Sequence, residues 1–157
     1  MTEALPDPSV RYARTLERTP AQDTTPWTPL RKPLQTCRFA LVTTGGVHCR
    51  DQPPFDLTQD GSDWSYREIP VTTPNDQLMV THNHYNHEHV DQDINAMFPI
   101  DRFRELVAAG AIGSLGARGF GLYGYIQDPQ ALAEETAPRI AAALREDGVD
   151  AAFLTPG

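Results

Sequence analysis

Cysteine is nearly absent: the 157 residues hold two, Cys37 and Cys49. Their spacing matches no zinc or dithiol motif, and a disulfide between them, though open to the sequence, is not expected in a reducing compartment. No apolar run approaches the roughly 20 residues that a membrane-spanning helix needs. The opening Met-Thr-Glu-Ala-Leu-Pro lacks the basic head and apolar segment of a secretory leader, so the expectation is a cytoplasmic protein with no membrane association. Cations are few and scattered, and the formal net charge is -8. That argues against nucleic acid as a partner, because the attraction comes from neutralising phosphates with Lys and Arg. Neither a G-x-G-x-x-G nor a Walker pattern follows a strand. Apolar residues are also sparse, at 39%, whereas prolines number 14; both fit a domain with extended loops. A mass of 17.4 kDa allows one hydrophobic core and little more.

What is present reads as an α/β chain. Residues 1–34 form a Pro-rich extended arm, with one short helical possibility around Tyr12. The prolines of the Trp27 to Pro33 stretch forbid a regular element there, and Trp27 and Leu30 are expected to pin the arm to a single α/β domain over 35–157. Cys37 to Thr44 is the clearest strand, ending at Gly45-Gly46, with Val47 to Arg50 in the loop beyond. Cys37 reads as buried filler. Trp64 to Pro70 alternates like a strand and is expected at a sheet edge, because Pro70 cannot serve a central ladder. Leu78 to Thr81 is a further short strand. Pro99 to Ala109 carries a helical stripe at Ile100, Phe103, Leu106 and Val107, closed by Gly110.

Gly119 to Ile126 alternates small and large residues, as in a strand whose glycine face lies against another backbone or in a glycine-rich loop. Asp128-Pro129 is a helix start; the helix runs to about Asp147, bent or divided at Pro138, and buries Leu132, Ile140 and Leu144. Gly148 ends it, and Val149 to Thr155 is a last buried strand. The segments near Phe39, Leu78 and Val149 are expected in one mainly parallel sheet of a three-layer, Rossmann-like or flavodoxin-like fold.

The carboxyl ends of such strands are where ligands sit, and the loop after Val80 holds four of the chain's five histidines: His82, His84, His87 and His89. Neutral imidazole suits Zn, Cu, Fe and Ni, so these four are a candidate metal set. In an extended chain His82 and His84 point the same way, as do His87 and His89, with Glu88, Asp91 or Asp93 as oxygen donors. Without a metal, a histidine pair can serve as base and charge stabiliser. A solvated histidine-rich loop is the alternative that needs no function. His48 and Cys49, in the loop after the first strand, are further candidates for catalysis, and Tyr85 and Tyr123 are candidate donors to a carboxylate or oxyanion. Arg102 and Arg118 are candidate partners for an acidic substrate, and Arg104 is expected on the helix surface.

Several pieces together resemble one family. Trp27-Thr-Pro-Leu-Arg-Lys-Pro33, Ala40-Leu-Val-Thr-Thr44 with Gly46-Val-His48, Pro53-Pro-Phe-Asp56, Phe98-Pro-Ile-Asp-Arg102, Ile112-Gly-Ser-Leu115, Gly124-Tyr-Ile126 and Asp147-Gly-Val-Asp-Ala151 are similar to the glycine/sarcosine/betaine/D-proline reductases, the component B selenoproteins and their short relatives. The resemblance implies an α/β fold and reductive C–N cleavage in a small amino acid or amine. The reacting selenocysteine or cysteine follows the strand matched by Val149 to Thr155, so the domain is expected to stop short of it at Gly157, with the thiol or selenol lying beyond or coming from a partner. Relatives commonly carry one or two histidines where this chain has four. Three functions therefore stand: a reductase-like component, a metal-dependent enzyme built on His82 to His89, and a non-catalytic binding or regulatory subunit. A Pro-rich arm and an exposed sheet edge favour covering apolar surface, and the resemblance implies an assembly, so a homo-oligomer or a partner reductase subunit is expected.

Overall fold

The computed structural model describes residues 28–58, 63–127 and 129–157. The arm as far as Trp27, the helical possibility at Tyr12 and the Asp128 cap lie outside the described residues. Strand β1 (Arg38–Thr43) is the centre of a five-stranded mixed sheet. The β-branched and apolar run Phe39 to Thr43 suits a strand buried on both faces. On one side β1 pairs in parallel with β5 (Ser114–Leu115) and then with β6 (Arg118–Leu122), and on the other with β7 (Ala151–Thr155). Strand β3 (Tyr66–Pro70) pairs antiparallel with β6 and closes that side as an edge, where Pro70 is tolerated.

The strand at Leu78 is not part of this sheet. Both sides of β1 are occupied, so β4 (Leu78–Val80) pairs antiparallel with β2 (Val47–Cys49), a segment expected to be loop, in a separate two-stranded ribbon. Gly46, at φ 71°, turns the chain from β1 into this ribbon through a conformation costly for other residues. Gly121 of β6 lets the ribbon lie close, and Gly119 lets the strand lie against Leu41 of β1 and Phe98. A Cβ on Gly121 would overlap the carbonyl oxygen of Val47, and one on Gly119 would lie 2.9 Å from the Leu41 oxygen. The small-and-large alternation of this stretch is therefore a strand with a glycine face against backbone.

Helices α1 (Glu88–Gln92) and α2 (Ile100–Ala108) follow β4, and Gly110 at φ 69° ends the second. Helix α3 (Ala137–Glu146) is entered through a π-helical turn, Leu132–Thr136. Pro138 has no N–H to donate and its ring crowds the preceding turn, so the ladder widens just before it. Gly148, at φ 66°, ends α3. Leu41 packs with Val90, Ile94, Phe98, Ile100 and Phe103, whereas the adjacent Val42 packs with Phe120, Leu122, Ile140 and Leu144. Successive strand residues point to opposite faces, so the sheet carries an apolar cluster on each. No helix among the described residues is long and apolar enough to cross a membrane.

Four expectations change. Strand β7 is paired on one side only among the described residues, and it is not buried: Phe153 and Leu154 are 43% and 70% exposed. Leu30 is exposed; residues 28–37 are held instead by a Lys32–Asp150 ion pair of 2.7 Å and by the buried Cys37 thiol, 3.2 Å from the Pro33 oxygen. Arg104 is half-buried, donating to Asp101 and to the carbonyls of Val71 and Thr73, so it ties α2 to the chain after β3. Arg118 opens β6 at the end of the sheet away from the candidate site and binds Glu68, Glu146 and Asp147.

The Gly121 contact makes a direct forecast. Gly121→Ala drives a methyl into the Val47 carbonyl and costs about 3 kcal/mol of unfolding free energy in urea titrations. Gly110→Ala, with nothing within 4 Å and φ 69°, costs only about 1 kcal/mol through the left-handed backbone.

Candidate functional site

The carboxyl ends of β1, β6 and β7 meet the loop after β4 at one end of the sheet. Gly46 N–H donates to the Leu122 oxygen at 2.8 Å, Thr81 N–H to the Gly46 oxygen at 2.9 Å, and Gly157 N–H to Thr44 Oγ at 3.1 Å. Gly45, Gly124 and Gly157 converge here. A Cβ on Gly124 would lie 2.8 Å from the Thr44 oxygen and 3.0 Å from His82 Nε2, and one on Gly157 would press on the Gly45 backbone. Side chains are excluded at all three, so three chain exits share a space that bulkier residues would divide.

His82 is at the centre of this meeting point, 5% exposed. Its ring lies between those of Tyr123 and Tyr85, with centroids 4.6 and 4.8 Å away. The stack continues from Tyr85 to His87 at 4.5 Å, and His84 packs on Tyr125 at 4.0 Å. His82 Nδ1 accepts from the His84 N–H at 3.1 Å, and Gly124 N–H faces Nε2 at 3.3 Å. Two donors aimed at one ring leave no acceptor for an imidazolium, which has two protons to give. Burial first, and then the nearby His84 and His87, push the His82 pKa down from 6.5 to about 4. The ring is a neutral hydrogen-bonding group at physiological pH.

The tyrosines fix the walls. Tyr85 donates to the Gly45 oxygen at 2.9 Å, and burial, reinforced by Asp91, raises its hydroxyl to about 12. Tyr123, 1% exposed, donates to Asn83 Oδ1 at 2.6 Å. Both phenols donate to the protein's own acceptors, which hold the loop over the exits of β1 and β6.

The other expected residues are placed differently. His48 is 1% exposed on β2. Its Nδ1 is 2.8 Å from the Cys49 carbonyl and must carry the proton, which leaves Nε2 to accept from Thr81 Oγ at 2.8 Å. It braces the residue before His82 and opens onto nothing. Cys49 is buried, 3.9 Å from Thr73 Oγ, and burial pushes its thiol up, away from the reactive thiolate. Arg102 pairs with Glu105 at 2.8 Å on the surface of α2.

Among the described residues no three His, Cys, Asp or Glu side chains come together as ligands, so the structure gives a metal at the histidine loop no support. The extended backbone that would align them is missing. His82 and His84 are joined by a turn, with rings at 89°. His87 starts helix α1 and His89 lies within it, and helical residues two apart do not face each other. Tyrosine rings alternate with the histidines where converging nitrogens would be needed. Thr44, Thr81, Asn83 and Gly124 belong to the site and were not singled out from sequence. Only Gly124 left a trace, as the last small residue in the alternation that begins at Gly119.

With this geometry in place, the comparisons are consistent with one another. The family model described as glycine/sarcosine/betaine reductase selenoprotein B matches residues 11–157. The chain is 42% identical over 131 residues to the D-proline reductase subunit gamma of Acetoanaerobium sticklandii, covering 83% of this chain and 53% of that protein. It is 31% identical over 138 residues to the glycine reductase complex component B subunit gamma of Carboxydothermus hydrogenoformans, covering 87% and 32%. It is 30% identical over 100 residues to the sarcosine reductase complex component B subunit beta of Peptoclostridium acidaminophilum, covering 61% and 22%. The chain thus spans about half the length, or less, of the curated relatives it matches. No solved structure matches it.

The buried imidazole makes stability depend on pH. The folded state holds His82 near 4, whereas the unfolded chain protonates it near 6.5. Its contribution is therefore complete above pH 6.5 and is lost as pH falls toward 4. Compared with His82→Gln, the wild-type chain loses about 3 kcal/mol across that interval. Urea titrations of both proteins at pH 7, 5.5 and 4 read this out; parallel curves would show that the ring is solvated.

Proposed function

This chain belongs to the glycine/sarcosine/betaine reductase selenoprotein B family, and we propose on that premise that it is a component of a reductase complex that cleaves a C–N bond in a small amino acid or amine. The observation that carries this reading is the seat of Gly157. Its N–H is held by Thr44 Oγ, and it touches the Gly45 backbone beside Gly124 and His82. A thiol or selenol placed just past Gly157, or brought there by a partner, lies beside the point where the exits of β1 and β6 and the histidine loop converge. Neither Cys37 nor Cys49 competes for the role, since both are buried.

In this reading the nucleophile attacks the substrate carbon, and the amine leaves with the bonding electron pair and takes up a proton. A dithiol from a partner subunit then closes the cycle. One thiolate attacks the sulfur or selenium, the C–S or C–Se bond breaks, and the substrate carbon leaves with the electron pair and takes up a proton. The second thiol displaces the nucleophile from the mixed linkage, so that the dithiol ends as a disulfide and the nucleophile is regenerated. His82 acts as a neutral hydrogen-bonding partner, with His84 and Tyr85 beside it, and His48 positions it through Thr81. The acidic residues of α1, Glu88 and Asp91, favour an ammonium-bearing substrate over an anion. The finer fold assignment, a three-layer Rossmann-like or flavodoxin-like domain over 35–157 with an arm over 1–34, is part of the proposal. The apolar clusters on both faces of the sheet support it. A cytoplasmic setting fits chemistry that needs a reduced thiol or selenol. A non-catalytic subunit is the second reading, favoured by the protein groups that already satisfy both ring nitrogens of His48.

The test uses protein purified from its native cells. We expect one selenium, or one thiol alkylated by iodoacetamide at pH 6, per chain. Alkylation should abolish amine release from the substrate of the complex, while Cys37→Ser and Cys49→Ala leave the rate within about twofold. Absence of both selenium and an acid-reactive thiol, with the complex fully active, supports the non-catalytic reading instead.

A further inference from the structure

The outer edge of β7 lacks the devices that protect a sheet edge. Its sequence, Ala151-Ala-Phe-Leu-Thr155, has no charge and no proline, and its five residues pair continuously with β1 from Phe39 to Thr43 without a bulge. Natural edges are blunted by such features because unpaired N–H and C=O groups recruit further strands. The opposite edge of this sheet is blunted: β3 carries Arg67, Glu68 and Pro70.

The side chains of β7 are apolar on both faces. Phe153 stacks on Phe103 of α2 at 5.1 Å and remains 43% exposed, while Leu154, pointing to the other face, is 70% exposed. An edge with open apolar groups on both faces of the sheet is the cross-section of a layered core rather than a one-sided docking groove. Its complement is a strand flanked by apolar cover on each face. The other three strands around β1 at this end, β5, β6 and β7, are all parallel to it, so the ladder favours a parallel newcomer, which needs a crossover element to reach it.

We propose that the β7 edge is the seat of a further parallel β-strand and its covering helix, supplied by reductase-subunit polypeptide corresponding to the part of the relatives' length that this chain does not match. Two facts select this occupant. About half of the D-proline reductase gamma subunit lies outside the match, and the edge presents neutral apolar surface on both faces, as an internal sheet seam does. A second copy of this chain brings only its own β7, which by two-fold symmetry pairs antiparallel. The inference rests on the sheet and not on the chemistry at Gly157, so it survives if the redox reading fails.

The test places a photo-reactive benzophenone amino acid at Leu154, a position too exposed to disturb the core, in protein expressed from the native gene in its own cells. After irradiation, the cross-linked peptide is sequenced by mass spectrometry, and amide exchange of β7 is measured on the purified assembly. We expect a cross-link to a peptide outside the 157-residue sequence that aligns with the unmatched part of the relatives. The β7 amides should exchange on the order of tenfold or more slowly than those of a free edge. A cross-link to residues 1–27, to β7 of a second copy or to an unrelated protein overturns the proposal, as does the absence of any cross-link with β7 amides exchanging freely.

Discussion

The glycine face of β6 is the contact on which the rest of the structure depends. Gly119 and Gly121 have no Cβ where Leu41, Phe98 and the Val47 carbonyl press against the strand. The β2–β4 ribbon can therefore lie on the sheet at backbone distance. With side chains there, the ribbon would stand off by the thickness of a methyl group or more, and close packing does not absorb such a gap without loss of contacts. Because β4 leads straight into the histidine loop, the same contact sets where His82 falls.

From that placement the electrostatics of the site follow. The ribbon brings His82 between Tyr85 and Tyr123, out of water, and Gly124 lets the backbone after β6 approach its Nε2. Burial rather than any single charge keeps the imidazole neutral, and burial likewise keeps Tyr85 protonated. A net charge of -8 thus coexists with a buried neutral imidazole and phenol at His82 and Tyr85. His48 extends the order one layer deeper: its fixed tautomer holds Thr81, and Thr81 precedes His82. The four histidines of the loop do not act as a set, since one is clamped, two stack on tyrosines and the fourth is exposed on α1.

Much of this was legible in the sequence, for identifiable reasons. The apolar, β-branched run at Phe39 to Thr43 could only be a buried strand, Gly110 and Gly148 ended their helices, and Pro70 marked an edge. Pro138 signalled a disturbance in the last helix, which took the form of a π turn. The ribbon was not legible, because pairing partners are chosen by which strand edges remain free, and that depends on residues far apart in the chain. The direction of the side chains in the histidine loop was not legible. Spacing predicts side-chain direction only when the backbone conformation is known, and a turn followed by a helix replaced the extended chain that aligned nitrogens require. The alternation around Gly119 to Tyr125 held the deepest clue, a glycine face whose partner backbone the sequence alone did not identify.

The account stands on a ribbon seated closely enough to keep His82 dry and neutral. Long-range proton–nitrogen correlation spectra of uniformly nitrogen-15-labelled protein, assigned with His82→Gln, report the protonation of both ring nitrogens directly. The account predicts one protonated and one unprotonated nitrogen for His82, unchanged from pH 8 to pH 5. A His82 signal that moves with a midpoint near 6.5, as in an exposed imidazole, would contradict it.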